Sequence, residues 1–158
     1  MNQSYVTILE ESLQKKKKLL QGILTITMQQ GEYAKQDPFP DGLFEKSMTD
    51  KDNLLAQLEE ADQGFEQIFE RTKEEITGHK EKYKEVIKRM QILIKEVTDL
   101  SVEIQTKEAR NKTALEQAFV RARKQIRSFK QSSQTASKYY KTMSKTNVDE
   151  AIFFNKKK

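Results

Sequence analysis

The residues best suited to chemistry are few and scattered along the chain. His79 is the only histidine and cysteine is absent, which excludes histidine-based metal clusters, Ser-His-Asp triads and thiolate nucleophiles. The five glycines do not form a phosphate-binding loop. Carboxylates are dense in one predicted helix, as Glu59, Glu60, Asp62 and Glu66. Metal sites in helical bundles use Glu-x-x-His pairs, and this chain has none. We therefore interpret these carboxylates as solvated and predict no catalytic residue, no metal and no cofactor: the protein is not an enzyme.

Basic residues are the other group with a chemical preference, in this case for anions. The net charge of +5 divides into −6 for residues 1–79 and +11 for residues 80–158. The excess is concentrated late in the chain, at Lys107, Arg110, Lys112, Arg121, Arg123, Lys124, Arg127 and Lys130. Complementarity between the two halves explains this asymmetry best, with a partner-binding or nucleic-acid-binding surface as the alternative. No nucleic-acid motif accompanies these residues, so no nucleic-acid partner is predicted.

A long helical pattern carries most of these basic residues. Alternating steps of four and three give a stripe of mostly apolar or small side chains: Tyr83, Ile87, Met90, Ile94, Val97, Ser101, Ile104, Glu108, Asn111, Leu115, Ala118, Ala122, Gln125 and Phe129. This is the a/d phase of a heptad repeat, and it predicts a third helix over about 80–130. A rod of roughly 70 Å cannot bury its own stripe, so it must pack on other helices.

Two earlier segments provide those helices. The first, about 4–30, carries a stripe that Lys16 interrupts, and Gly31 is expected to end it. The second, about 43–77, follows Pro38-Phe39-Pro40, with Phe39 expected to plug an end of the bundle. Its stripe is Phe44, Met48, Lys51, Leu55, Leu58, Asp62, Phe65, Phe69, Thr72 and Ile76.

The turn after the second helix is predicted at Gly78, in the left-handed cap conformation, and a continuous helix through Gly78 is the alternative. We expect Phe65, Phe69, Ile87 and Ile94 to be buried between the helices. These elements predict an all-α fold, an elongated antiparallel bundle or coiled-coil hairpin of about three long helices over residues 1–130.

The composition outside the helices completes the expectation. No apolar run approaches the ~18 residues of a membrane span and the N-terminus does not resemble a secretory signal, so a cytoplasmic location is expected. Residues 131–158 are polar and basic yet carry several aromatic side chains. This composition predicts a flexible tail that folds on a partner, while a frayed terminus partly docked on the bundle has equal weight.

The second helical segment resembles a known family. Residues 52–71, Asp-Asn-Leu-Leu-Ala-Gln-Leu-Glu-Glu-Ala-Asp-Gln-Gly-Phe-Glu-Gln-Ile-Phe-Glu-Arg, are similar to the second-helix signature of FlgN-type flagellar export chaperones from Gram-positive bacteria. An N-terminal helix opening into a long hairpin, Asn111 on the last helix, and the ending Phe153-Phe154-Asn155 followed by three lysines also resemble that family. The similarity extends over nearly the whole chain.

The resemblance implies a cytoplasmic, ATP-independent chaperone. Such proteins hold the hook-associated proteins of the hook–filament junction, prevent their premature assembly and deliver them to the flagellar type III export apparatus. The implied cargo-binding residues lie late in the chain: Leu115, Phe119, Ile126, Phe129, Tyr139, Tyr140, Met143, Ile152, Phe153 and Phe154. Tyr139 or Tyr140 corresponds to a tyrosine implicated in docking to the export gate. The alternative is a structural coiled-coil adaptor or oligomerising scaffold, and the sequence leaves monomer or homodimer open.

Overall fold

Three long α-helices make up the fold. The computed structural model describes residues 4–123, and within them α1 spans Tyr5–Ala34, α2 spans Asp41–Ile76 and α3 spans Lys84–Ala122. No residue of this range is in a β-strand. The predicted all-α bundle of three long helices is confirmed.

The helices run up, down and up, with α1 between the other two. The Val6 backbone amide at the start of α1 donates a hydrogen bond to the Glu75 carboxylate at the end of α2 at 3.2 Å, so α1 and α2 are antiparallel. Glu10 near the start of α1 bonds Arg89 near the start of α3, so α1 and α3 are parallel. Within residues 4–123, no Cα of α2 lies within 8 Å of a Cα of α3. Helices α2 and α3 therefore meet through long side chains only.

The core follows the heptad stripes. Most buried apolar positions of α1 and α3 follow the heptad spacing, including Val6, Leu9, Leu13, Leu20, Ile23, Val97, Ile104, Leu115 and Ala118, and Leu19, Leu93 and Phe119 are buried beside it. Burying a leucine or isoleucine side chain stabilises the fold by roughly 1.5–3 kcal/mol, so these stripes are the main source of stability. The heptad interpretation of α1 and α3 is confirmed.

The first helix is longer than predicted. Ser4 caps its N-terminus by accepting a hydrogen bond from the Thr7 backbone amide at 3.2 Å. Gly31 does not end it, because the helix continues to Ala34. Glycine in a helix costs roughly 1 kcal/mol relative to alanine, and tertiary packing over the last turn outweighs that cost. The prediction that α1 ends at Gly31 was wrong.

Both connections follow the expected chemistry. Phe39, between the two prolines, is buried and stacks edge-on to Phe119 at a ring distance of 5.4 Å, so it plugs the end of the bundle as predicted. Gly78 has a φ of 84°, the left-handed conformation expected for a helix cap. The turn over Thr77–Tyr83 confirms the hairpin and excludes a continuous helix through Gly78.

The lower half of the core is looser than predicted. Phe65 is buried, at 2% exposure, whereas Phe69, Ile87 and Ile94 are only half-buried. These three side chains pack against the edge of the buried core rather than within it. The prediction of full burial holds for Phe65 and was wrong for the other three.

Candidate functional site

A layer of buried polar side chains crosses the bundle near the C-terminal end of α1, at Thr27 and Gln30. Lys51 of α2 donates a hydrogen bond to Gln30 Oε1 at 2.9 Å and another to the Glu108 carboxylate of α3. Thr27 of α1 donates to the same Glu108 oxygen at 3.1 Å. Lys51, Thr27 and Gln30 are fully enclosed, at 0% exposure. The layer thus joins all three helices through one ion pair.

The layer continues on both sides of this ion pair. Gln30 Nε2 donates to Ser47 Oγ at 3.1 Å, which ties α1 to α2. Asn111 Nδ2 donates to the Thr27 backbone carbonyl at 2.7 Å, which ties α3 to α1. A Cβ at Gly31 would lie 2.7 Å from Asn111 Oδ1, so the glycine makes room for this contact. Gly31, the residue expected to end the helix, instead lets α3 approach it.

Burial moves both members of the ion pair towards neutrality. Removal from water lowers the pKa of Lys51 from 10.5 to about 8, although the nearby Glu108 carboxylate opposes that shift. Desolvation raises the pKa of Glu108, against the opposing effect of Lys51 and Thr27. A perturbed lysine pKa is a feature of catalytic amines, but the Lys51 side chain has no solvent-exposed surface. A substrate could reach this amine only if the bundle opened.

Such a layer fixes the axial alignment of the three helices relative to one another. Sliding α3 by one turn past α1 would separate Glu108 from Lys51 and bury each charge alone, which is strongly unfavourable. A polar pair inside an apolar seam therefore favours one alignment of the helices over all others. The sequence places Lys51, Glu108 and Asn111 on the heptad stripes of α2 and α3 but does not show that they pair. The opposite charges of Lys51 and Glu108 at buried stripe positions were the only sign in the sequence that they pair. Which lysine meets which glutamate depends on how the helices are aligned.

An aromatic cluster closes the end of the bundle where α3 finishes. Phe39, Phe44 and Phe119 lie with ring centroids 5.2–5.9 Å apart. Arg121 donates a hydrogen bond to the Ala34 carbonyl at 2.9 Å, which fixes the end of α3 beside the end of α1. The chain therefore leaves α3 next to the start of α2.

The predicted partner-binding residues divide into two groups at this point. Leu115 and Phe119 are buried, at 1% and 4% exposure, within the core and the aromatic cluster. They could contact a partner only if the end of the bundle opened, and their assignment to cargo binding stays a prediction. The others lie outside the described residues: Ile126, Phe129, Tyr139, Tyr140, Met143, Ile152, Phe153 and Phe154.

The exposed surface of α2 is strongly acidic. The helix holds 11 acidic and 4 basic residues. Glu45, Asp52, Glu59 and Glu66 are all exposed and lie seven residues apart, so they form one stripe along the helix. The carboxylates first noted at residues 59–66 thus belong to an exposed acidic face. Asp62 is the exception, since it pairs with Lys16 and explains how that lysine is buried within the seam.

Residues 4–123 contain neither a candidate metal site nor a candidate membrane span. No group of three histidine, cysteine, aspartate or glutamate side chains is placed to hold a metal ion. None of the helices in that range is both long and apolar enough to cross a membrane.

The chain was also compared with known proteins. Neither the protein-family models, nor the curated proteins, nor the solved structures gave a match.

Proposed function

We propose that this chain is a cytoplasmic export chaperone of the FlgN type. In this proposal it binds the amphipathic terminal helices of hook-associated proteins, prevents their premature assembly and delivers them to the flagellar type III export apparatus. It acts without ATP, cofactor or metal. The similarity of residues 52–71 to the family signature is the observation that carries the proposal. An elongated three-helix bundle followed by a basic, aromatic-bearing segment is compatible with it.

The proposed binding chemistry is burial of an apolar helix face. An isolated amphipathic helix exposes a stripe that drives aggregation, and a partner that covers this stripe keeps the helix monomeric. The aromatic side chains beyond Arg123 provide apolar area without needing the bundle to open. Ordering that segment on the cargo would reduce the net affinity, which suits a chaperone that must release its cargo at an export gate.

The test is a binding measurement with full-length protein. Fragments containing the terminal helices of hook–filament junction proteins from the same genome are titrated by calorimetry. Replacing Ile152, Phe153 and Phe154 by serine should weaken binding more than tenfold, or ~1.4 kcal/mol. Replacing Ile92 and Val102 by serine is the matched control, since both side chains are more than half exposed on α3.

Each outcome has a defined meaning. Loss of binding in the triple variant alone supports the proposed site. Loss in the control alone would place the cargo on α3 instead. If the wild-type chain binds none of these fragments, the chaperone proposal is refuted. A large concentration-dependent assembly of the chain in light scattering would then favour the alternative, an oligomerising coiled-coil scaffold.

A further inference from the structure

Within residues 4–123, the bundle has an open side where α2 and α3 are held apart, since no Cα of α2 lies within 8 Å of a Cα of α3. Ile87 and Ile94 of α3 are half-buried at the edge of the core. They share a heptad phase with Glu108, whose carboxylate contacts both Lys51 of α2 and Thr27 of α1. The part of α3 that borders the open side is therefore partly apolar.

The acidic stripe of α2 borders this open side. Leu54 marks the side of α2 that faces α1, because its Cδ1 would lie 3.1 Å from a Cβ at Gly22. With 3.6 residues per turn, Asp52 and Glu59 are about 150° around the helix from Leu54. The stripe of Glu45, Asp52, Glu59 and Glu66 is about 100° around the helix from the fully buried Lys51 and Leu58, so it lies along the edge of the buried face that is opposite to Leu54.

We infer that the chain's own residues 124–158 occupy this open side in the free protein. Their charge is complementary: the segment holds nine basic and two acidic residues, for a net charge of +7, and α2 has a net charge of −7. Opposite charges of this size attract along the whole length of a helix face. The segment also has the aromatic side chains needed to cover half-buried apolar groups.

The position at which residues 124–158 leave α3 also allows them to reach the open side. The bond from Arg121 to the Ala34 carbonyl and the stacking of Phe119 on Phe39 fix the end of α3 beside the start of α2. From there, a segment of 35 residues can run along α2, which has 36 residues. As a helix the segment would span about 52 Å and α2 spans about 54 Å, and an extended chain would reach further. The segment is thus long enough to cover the whole acidic stripe.

Such docking has a consequence for the proposed chaperone. The side chains proposed to bind cargo would rest on α2 and α3 until cargo competes for them. The apparent affinity for cargo is then the intrinsic affinity multiplied by the fraction of molecules in which the segment is undocked. The docking itself is independent of cargo, so its test needs none and can succeed or fail separately from the proposed function.

The experiment measures proximity within the full chain. Because the chain has no cysteine, Gln63→Cys on α2 and Ser144→Cys in the segment give two unique labelling positions for a fluorescent donor and acceptor. We expect efficient intramolecular energy transfer at low salt. It should fall in 1 M salt, where the Debye length shrinks to about 3 Å and charge attraction is screened.

The test variant is Glu45→Lys/Glu59→Lys/Glu66→Lys, which reverses three charges of the stripe. It should lower the ratio of docked to undocked molecules by about tenfold or more, because three weakly attractive positions become repulsive. The matched control, Glu11→Lys/Glu60→Lys/Glu81→Lys, makes the same change in net charge at exposed positions outside the stripe. The control should keep the wild-type transfer, and circular dichroism of each variant verifies that the helices remain.

Three results would overturn the inference. One is a wild-type chain without energy transfer at low salt. The second is a stripe variant whose transfer equals that of wild type. The third is transfer that disappears when labelled protein is diluted into excess unlabelled protein, since the occupant would then be the segment of a second copy.

Discussion

Replacing Glu108 by leucine removes the carboxylate that accepts a hydrogen bond from the Lys51 ammonium in the polar layer. Burial already lowers the pKa of Lys51 to about 8 while Glu108 is present. A shift of that size means that keeping Lys51 charged in the fold costs about 3 kcal/mol at neutral pH. Without Glu108 the opposing attraction is lost, and Gln30 Oε1 remains as an acceptor at 2.9 Å. We expect Glu108→Leu to lower the free energy of unfolding by about 3–5 kcal/mol.

The double variant separates the charge from the packing. Lys51→Met/Glu108→Leu removes both charges and retains most of the buried volume, so no ion is left unpaired by the mutation. We expect its free energy of unfolding to lie within about 1 kcal/mol of wild type, or above it. Lys46→Met, at an exposed position of the same helix, is the control and should change stability by less than about 0.5 kcal/mol.

The assay is urea denaturation at pH 7, followed by circular dichroism of the helices. The free energy of unfolding comes from linear extrapolation, and equal slopes confirm that the folded states are comparable. If Glu108→Leu loses less than about 1 kcal/mol, or if the double variant is less stable than the single one, the argument from the buried pair is refuted.

The same pair predicts the direction of a pH dependence. Between about pH 8 and 10.5 the unfolded chain keeps a proton on Lys51 that the folded chain has released. The unfolded state then binds more protons, so the contribution of Lys51 to stability rises with pH across this window. Wild type should therefore gain stability relative to Lys51→Met between pH 8 and 10.5, by up to about 3 kcal/mol. A constant difference would show that Lys51 titrates normally in the fold.

Two pairs of variants test the packing by the same urea assay. Gly31→Ala should destabilise by about 1–3 kcal/mol, because the new Cβ displaces Asn111 from its hydrogen bond. Gly64→Ala should stabilise by about 0.5–1 kcal/mol, since nothing lies within 4 Å of that Cβ and alanine favours the helix; a loss there would contradict the geometry. Phe65→Ala should cost about 3–5 kcal/mol and Phe69→Ala clearly less, and equal losses would show that both rings are enclosed.

The sequence predicted the helices because periodicity is a local property. The heptad spacing of Leu9, Leu13 and Leu20 on α1, and of Val97 and Ile104 on α3, can be found without knowing what lies opposite. The breakers were equally local: Gly78 lacks a Cβ, which makes its left-handed φ accessible, and the proline pair disfavours a helix through residues 38–40. The aromatic plug at Phe39 followed from its position between those prolines.

Tertiary structure decided everything that depended on the alignment of one helix with another. Lys51 and Glu108 are 57 residues apart, and only the registered bundle brings their charges together. Gly31 was expected to end α1, but it lies inside that helix. Asn111 of α3 packs against Gly31 so closely that a side chain there would collide with it. Phe69, Ile87 and Ile94 share the spacing of buried residues, yet they are only half-buried, because they pack against the edge of the core rather than within it. A stripe determines which face of a helix turns inward, and only the distance to the next backbone determines how far that face is covered.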